Sequence, residues 1–503
     1  MPSRHRPATG ISRRRFLHWA AFGGAALALP APLHALPSGR PVRPVRVRGR
    51  VQAGRRGLAG VGVTDGLTVV STTDDGTFEL VTSTRQPFVS LCLPAGYRIP
   101  QNPSGTAHFY RPIRPDARGE MEARFDLVPD EAAGDAHAFL VLADPQTQNT
   151  YETGLLHERT VPDVRSTVQT LSVPAAFGVG CGDLMFDDLS LFPEYERAVS
   201  RMELPFFQVV GNHDLDFDGP SDEASTETFR RHFGPTYYSF DRGLVHYVVL
   251  DDVFLHAPDA YIGYLDGDQL GWLAQDLARV EPGRTVVVFV HIPAFSTLHR
   301  RISGAEKPSP SGSITNRAVL YRLLEPYEAH VMSGHTHEHE HVFEGGVHEH
   351  VHGAVCGPWW AGDVGYDGTP AGYGVYEVRG ASLRWRYKAT GHPMDYQLRV
   401  YARGADPKAP DEIVANVWDW DPEWKVVWYE GGERRGEMAR RTGTDPLSER
   451  LHRGPRLPER RTWVEPVPTD HLFYAPVSPA ASDVRVEATD RWGNVFSATP
   501  EAV

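Results

Sequence analysis

Five short apolar runs, each stopping abruptly at a polar cluster, constrain this chain more than any other feature. Run 139–142 leads to Asp144-Pro145-Gln146. Run 177–181 leads to Gly182-Asp183, with Asp187 just beyond. Run 206–210 leads to Gly211-Asn212-His213-Asp214, run 286–290 leads to His291, and run 329–332 leads through Ser333-Gly334 to His335-Thr336-His337. Apolar runs this short, separated by amphipathic segments, read as strands buried on both faces of an α/β layer structure. In an open sheet of that kind, the residues just past the strand C-termini converge on one crevice. Five such ends carrying carboxylate, amide and imidazole make a metal pocket.

The donor types narrow the metal. Mixed carboxylate, imidazole and amide oxygen, with no thiolate, suit divalent ions such as Mn, Fe, Zn or Mg. Glycines at 182, 211 and 334 are expected to let the backbone turn sharply, so that the following side chain enters the crevice. Only three cysteines occur, Cys92, Cys181 and Cys356, which excludes a disulfide framework. Cys181, inside an apolar run, reads as a buried, inert thiol.

A chain of 503 residues is too long for one core. Its N-terminus reads as an export signal. Arg13-Arg14-Arg15-Phe16-Leu17 precedes a Gly/Ala-rich apolar stretch and a small-residue cleavage site at Leu33-His34-Ala35, so residues 1–35 resemble a Tat-type signal peptide and imply a periplasmic or secreted location, with an ordinary Sec signal and an uncleaved N-terminal anchor as the other readings. The formal charge is -13, and removing residues 1–35 leaves 46 basic against 64 acidic residues. That balance argues against nucleic acid or an anionic membrane surface as partner. No segment of the mature chain reaches the length of a transmembrane helix.

Residues 45–128 read as a β-sandwich of short strands, with a tight hairpin turn at Asp74-Asp75-Gly76. Gly60 to Gly66, followed by Thr73 to Phe78, resembles transthyretin-like or carboxypeptidase-regulatory-like modules. Residues 136–390 carry the α/β pattern, with a helix stripe at Leu270, Leu273, Ala274 and Leu277 and further helix candidates at 167–171 and 226–233. Residues 395–503 read as a C-terminal β-sandwich, with a turn at Asp490 to Asn494 and a long Pro/Arg-rich loop at 453–461.

Gly182-Asp183-x-x-x-Asp187, Gly211-Asn212-His213-Asp214, His291 and Gly334-His335-x-His337, in this order, resemble the calcineurin-like metallophosphoesterase superfamily. The resemblance implies a four-layer αββα sandwich, here flanked by the two β-sandwich domains. It also implies two divalent ions bridged by Asp183, one held further by Asp144, Gln146 and His337, the other by Asn212, His291 and His335. A metal-bound hydroxide would attack a phosphate ester of a small phosphorylated substrate. His213, oriented by Asp214, would stabilise the transition state or protonate the leaving oxygen, while Asp187 supports the loop. The family commonly has Asp-x-His where this chain has Asp144-Pro145-Gln146, which resembles a Ser/Thr phosphatase-type branch and favours a phosphomonoesterase.

Val355 to Gly362 and Asp367 to Tyr373, with Asn416 to Trp420 and Asp490 to Asn494, resemble the bacterial exported members that have dedicated N- and C-terminal domains. Trp359, Trp360 and Tyr373 are candidates for an aromatic wall that binds a sugar or base, with core packing as the other reading. The period-two histidines 339, 341, 348, 350 and 352 should share one face of strands, and His350 and His339 are the ones expected nearest the site. A phosphodiesterase acting on nucleotide or envelope phosphodiesters is the alternative activity. A non-catalytic cell-surface or carbohydrate-binding protein is the alternative of another class.

Overall fold

Each apolar run that ends at a ligand-type residue becomes a strand, and the strands fall into two facing sheets. In the first, the order is Phe206–Val209, Ala175–Cys181, Ala136–Leu142, Gly372–Arg379, Ser382–Ala389. The first three are parallel, and the last two close the sheet antiparallel. In the second, the order is Tyr238–Arg242, Val245–Val249, Thr285–Phe289, Glu328–Ser333, Val347–Val351, Glu340–Glu344, parallel from Val245–Val249 through to Val347–Val351. The computed structural model describes residues 42–130, 134–481 and 483–503, so the expected signal segment lies outside it.

Alternation along the strands decides what each face packs against. Phe139, Val141, Phe177, Val179 and Phe207 point between the sheets, where they meet Phe240, Tyr247, Val287 and Phe289. Phe139 stacks on Phe177 and Tyr376 with centroids 5.1 and 4.8 Å apart. Leu140 and Leu142, of opposite parity, face helices Val161–Thr170 and Phe192–Arg201 instead. On the far side Val248, Val286, Val288 and Val331 are covered by Trp272, Leu273 and Leu277 of helix Gly267–Leu277 and by Leu320 and Leu324 of Arg317–Leu324. The result is the expected four-layer αββα sandwich.

Two expectations need correction. The buried stripe of Gly267–Leu277 is Gln269, Trp272, Leu273, Asp276 and Leu277, and Ala274 is exposed. The phase is set by Trp272 in the core and by the Asp276 carboxylate, which lies 3.0 Å from Nε2 of buried His246. The turn at Asp74–Gly76 is tight, with the Gly76 N–H donating to Thr73 O at 2.8 Å. It is not a hairpin, because Val69–Ser71 and Thr77–Ser83 belong to different sheets.

The flanking regions are each built of two four-stranded sheets. The N-terminal pair shares its core with the central sandwich, where Phe109 packs on Tyr238 at 4.5 Å. The C-terminal pair has its own core of Ile413, Ala415, Trp424, Val426, Phe473 and Val486. Its Pro/Arg-rich loop nevertheless reaches the central region, where Arg461 pairs with buried Glu152 at 2.9 Å and Trp463 lies 4.6 Å from Trp359. Cys92, Cys181 and Cys356 are free and buried. Among the described residues no helix is long and apolar enough to cross a membrane.

Candidate metal centre

The strand ends converge, and they do so in strained backbone. Asp144, Gln146, Asp183, His335 and His337 have φ of 51, 39, 48, 68 and 53°. A non-glycine residue in the left-handed region costs on the order of 1–3 kcal/mol and persists only where its surroundings enforce it. Here the enforcing contacts run between the strand ends. Both Asp144 oxygens accept the His335 N–H, at 3.1 and 2.9 Å, and the His213 N–H donates to Asp183 Oδ1 at 2.9 Å.

The glycines contribute more than the expected sharp turn. Only Gly182 has positive φ, at 80°. A Cβ on Gly211 would sit 2.3 Å from Asp183 Oδ1, and one on Gly334 would sit 2.3 Å from Asp144 Oδ2. At these two positions the missing side chain makes room for a neighbouring strand's carboxylate.

Hydrogen-bond polarity shows what the centre can hold. Nδ1 of His291 donates to the Cys181 carbonyl at 3.2 Å, so Nε2 carries the lone pair. That nitrogen lies 3.2 Å from Asp183 Oδ1, 3.1 Å from Asn212 Oδ1 and 3.3 Å from Nδ1 of His335. The His335 ring is set in the same way, with Nε2 donating to Ser311 O at 3.0 Å and Nδ1 left as acceptor. Four acceptors facing one another fit a cation, and the second nitrogen of each histidine is anchored on a carbonyl as in ligating histidines. Without another cation the positive charge resides on His291. Burial lowers its pKa, but Asp183 and then Asp144 and Asp252 outweigh that and raise it to about 10.

The second half is looser. His337 Nε2 lies 3.4 Å from Asp144 Oδ1. Gln146 Nε2 donates to Asp183 Oδ2 at 2.8 Å, while its Oε1 is buried without a partner. An orphaned amide oxygen among two carboxylates and an imidazole is a donor suited to a hard divalent ion.

His213 stands at the edge with its side chain 21% exposed, and its partner differs from the expected one. Asp187, not Asp214, lies 2.6 Å from His213 Nδ1. The Asp214 carboxylate instead accepts backbone N–H bonds from Leu184, Met185 and Gly211 at 3.1, 3.0 and 2.9 Å. It clamps the Asp183 turn to the 211–214 turn, and both of its oxygens are engaged by those backbone N–H groups. Burial lowers the His213 pKa, but Asp183 and Asp187 outweigh it, so the net shift is upward.

The aromatic wall is also corrected. Trp359 is buried and stacks on His337 at 4.3 Å, and Trp360 donates its indole N–H to Pro145 O at 2.8 Å. Trp360 thus braces the first ligand loop, and Trp359 braces the turn that carries His337. Tyr373 is wholly buried, its hydroxyl bonded to Asp163 at 2.7 Å, and is core. His350 is bound into a separate histidine cluster, and His339 is tied to Asp419 at 2.9 Å. One residue that sequence reasoning missed is Asp252, whose oxygens accept the His291 and Ile292 N–H groups, both at 2.9 Å. Its signal is present, because Tyr247-Val248-Val249-Leu250 is a sixth short apolar run and leads to Asp251-Asp252.

Three family models match the chain in tandem: the N terminal of calcineurin-like phosphoesterase over residues 45–130, calcineurin-like phosphoesterase over 135–339, and the C terminal of calcineurin-like phosphoesterase over 349–496. This protein belongs to the calcineurin-like phosphoesterases. The middle match spans every ligand-type strand end described above. Human serine/threonine-protein phosphatase CPPED1 is 30% identical over 202 residues, which cover 36% of this chain and 63% of that protein, less than two thirds of the relative's length. Among solved structures, PhoD matches 92% of this chain and 87% of its own at 10% identity and a TM-score of 0.36. Purple acid phosphatase PPD1 from yellow lupin matches 69% and 67% at 13% identity and a TM-score of 0.38.

Proposed function

We propose that this calcineurin-like phosphoesterase is a dinuclear-metal phosphomonoesterase. The observation that carries the reading is the set of lone pairs facing His291 Nε2, with Asp183, Asn212 and His335 at 3.1–3.3 Å. Under this reading Asp183, Asn212, His291 and His335 would hold one ion, and Asp183, Asp144, Gln146 and His337 would hold the other. Bound divalent ions supply an activated water and neutralise charge on the phosphoryl oxygens.

The remaining steps belong to side chains. The His213 N–H holds Asp183 Oδ1, and Asp187 fixes the His213 ring through Nδ1. That leaves Nε2 as the atom that passes a proton to the leaving oxygen, and the upward shift of His213 favours the protonated form this requires.

Beside His213 an open groove of about 530 Å³ is lined by Leu189, Leu215, Phe217 and Pro258 together with Asp187, Asp216, Asp218 and Asp259. Its carboxylates would repel a second phosphate, which supports a leaving group that is a neutral or cationic alcohol. The name of the human relative, a serine/threonine-protein phosphatase, agrees with monoester chemistry. The test compares p-nitrophenyl phosphate with bis-p-nitrophenyl phosphate on Mn-loaded enzyme. The monoester should lead in kcat/KM by at least about tenfold, a difference of about 1.4 kcal/mol in transition-state stabilisation. A lead for the diester would replace this assignment with a phosphodiesterase.

A further inference from the structure

Of the alternating histidines, His341, His348 and His350 share one sheet face, joined there by His330 of the neighbouring strand, while His339 and His352 lie just outside the strands. Strand register pairs His330 with His348 and His341 with His350. Their rings face the opposite sheet, with His350 5.6 Å from Tyr376 and 4.8 Å from Trp385. The phosphoesterase crevice uses none of them, and roughly 10 Å of strand from His330 to Ser333, then the turn at Gly334, lies between His330 and His335.

Hydrogen-bond polarity fixes their tautomers. His352 Nδ1 donates to Ser333 O at 2.8 Å, so its Nε2 accepts from the Tyr376 hydroxyl at 2.8 Å. The hydroxyl oxygen then accepts Nδ1–H of His350 at 3.3 Å, which leaves His350 Nε2 as a lone pair. On the other side His341 Nε2 donates to Asp419 Oδ1 at 2.9 Å, and His341 Nδ1 accepts from His348 Nε2 at 3.2 Å. That leaves His348 Nδ1 as a lone pair. Nδ1 of His330 lies 3.0 Å from His350 Nε2, and the three rings each bring one nitrogen within 4.8 Å of the others.

We propose that His330, His348 and His350 hold a further divalent ion, of the borderline class Zn²⁺, Cu²⁺ or Ni²⁺, apart from the phosphoesterase crevice. Three imidazoles with no carboxylate select that class. Ligands each ~2.0–2.1 Å from an ion stand about 3 Å apart, which the His330–His350 pair matches. Ligating histidines are held from behind through their second nitrogen, as His350 is by Tyr376 and His348 is by His341 and Asp419.

The neighbouring trio His339, His341 and Asp419 fails the same polarity test. The Gly353 N–H donates to His339 Nδ1 at 3.3 Å, so His339 Nε2 carries a hydrogen, which goes to Asp419. The nearby cation, Arg491, is neutralised by Asp421 at 2.8 Å.

The test counts metal in full-length protein equilibrated with micromolar ZnCl₂ and then desalted. Wild type should carry one Zn more than either His330→Phe or His348→Gln, while hydrolysis of p-nitrophenyl phosphate in both variants stays within about twofold. In case these variants misfold, Cu²⁺ is added to Asp183→Asn protein, where paramagnetic resonance should show coupling to three imidazole nitrogens. Equal Zn in wild type and folded variants, or a Cu²⁺ spectrum without that coupling, would overturn the proposal.

Discussion

Replacing Asp183 by Asn should lower kcat/KM for p-nitrophenyl phosphate at least about a thousandfold and reduce the metal held in the crevice. Several kcal/mol of transition-state charge stabilisation depend on ions at such a centre. The substitution is nearly isosteric, and Oδ1 at position 183 can still accept the His213 N–H that it accepts at 2.9 Å in the parent. What it removes is the negative charge that lies 3.2 Å from His291 Nε2 and beside the amide of Gln146. The folded state should therefore survive while metal affinity and activity fall together. A variant with full metal content and full activity would show that Asp183 does not bridge the ions.

His213→Ala should behave differently. General acid catalysis contributes about 10²–10⁴-fold, and that factor should vanish from kcat while the metal content stays unchanged. His213 touches Asp183 only through its backbone N–H, which alanine retains. Asp187→Asn keeps the ring and loses the charge at 2.6 Å, so a loss of about 10–100-fold, the range for partners that orient a functional group, is expected. Asp214→Asn should instead be read by thermal unfolding, because its oxygens accept three backbone N–H groups that fix the loop. If His213→Ala lost its metals, the imidazole would have to be counted among the ligands.

The strand ends were legible in the sequence because one physical rule produces them. A strand buried on both faces is mostly apolar until it leaves the sheet, so a change to Asp, Asn or His at its end marks the crevice edge. The partner of His213 was not legible by the same rule. Asp214 is adjacent in sequence, but a residue next to His213 in a tight turn can aim its carboxylate at the backbone, as Asp214 does. Asp187 reaches the ring through a φ of 65°, which nothing in its sequence neighbourhood requires. Trp359 and Trp360 were ambiguous for a similar reason. An aromatic pair after a glycine lines a pocket or braces a loop according to its φ, and here both residues are left-handed, at 53 and 61°. Arg461, which pairs with Glu152 three hundred residues earlier, carries no local signal at all. The histidine alternation, in contrast, was readable as a shared strand face, and only the register between strands shows which rings meet.

The most direct measurement strips the purified enzyme of metal and reloads it with Mn²⁺, an ion that three imidazoles hold weakly. Hydrolysis of p-nitrophenyl phosphate is then followed as a function of ions bound per chain. Activity should be absent in the stripped protein and should return as the content rises to two Mn²⁺ per chain, with Asp183→Asn failing to recover. Protein that binds two Mn²⁺ and turns over neither this monoester nor its bis-ester would contradict the account.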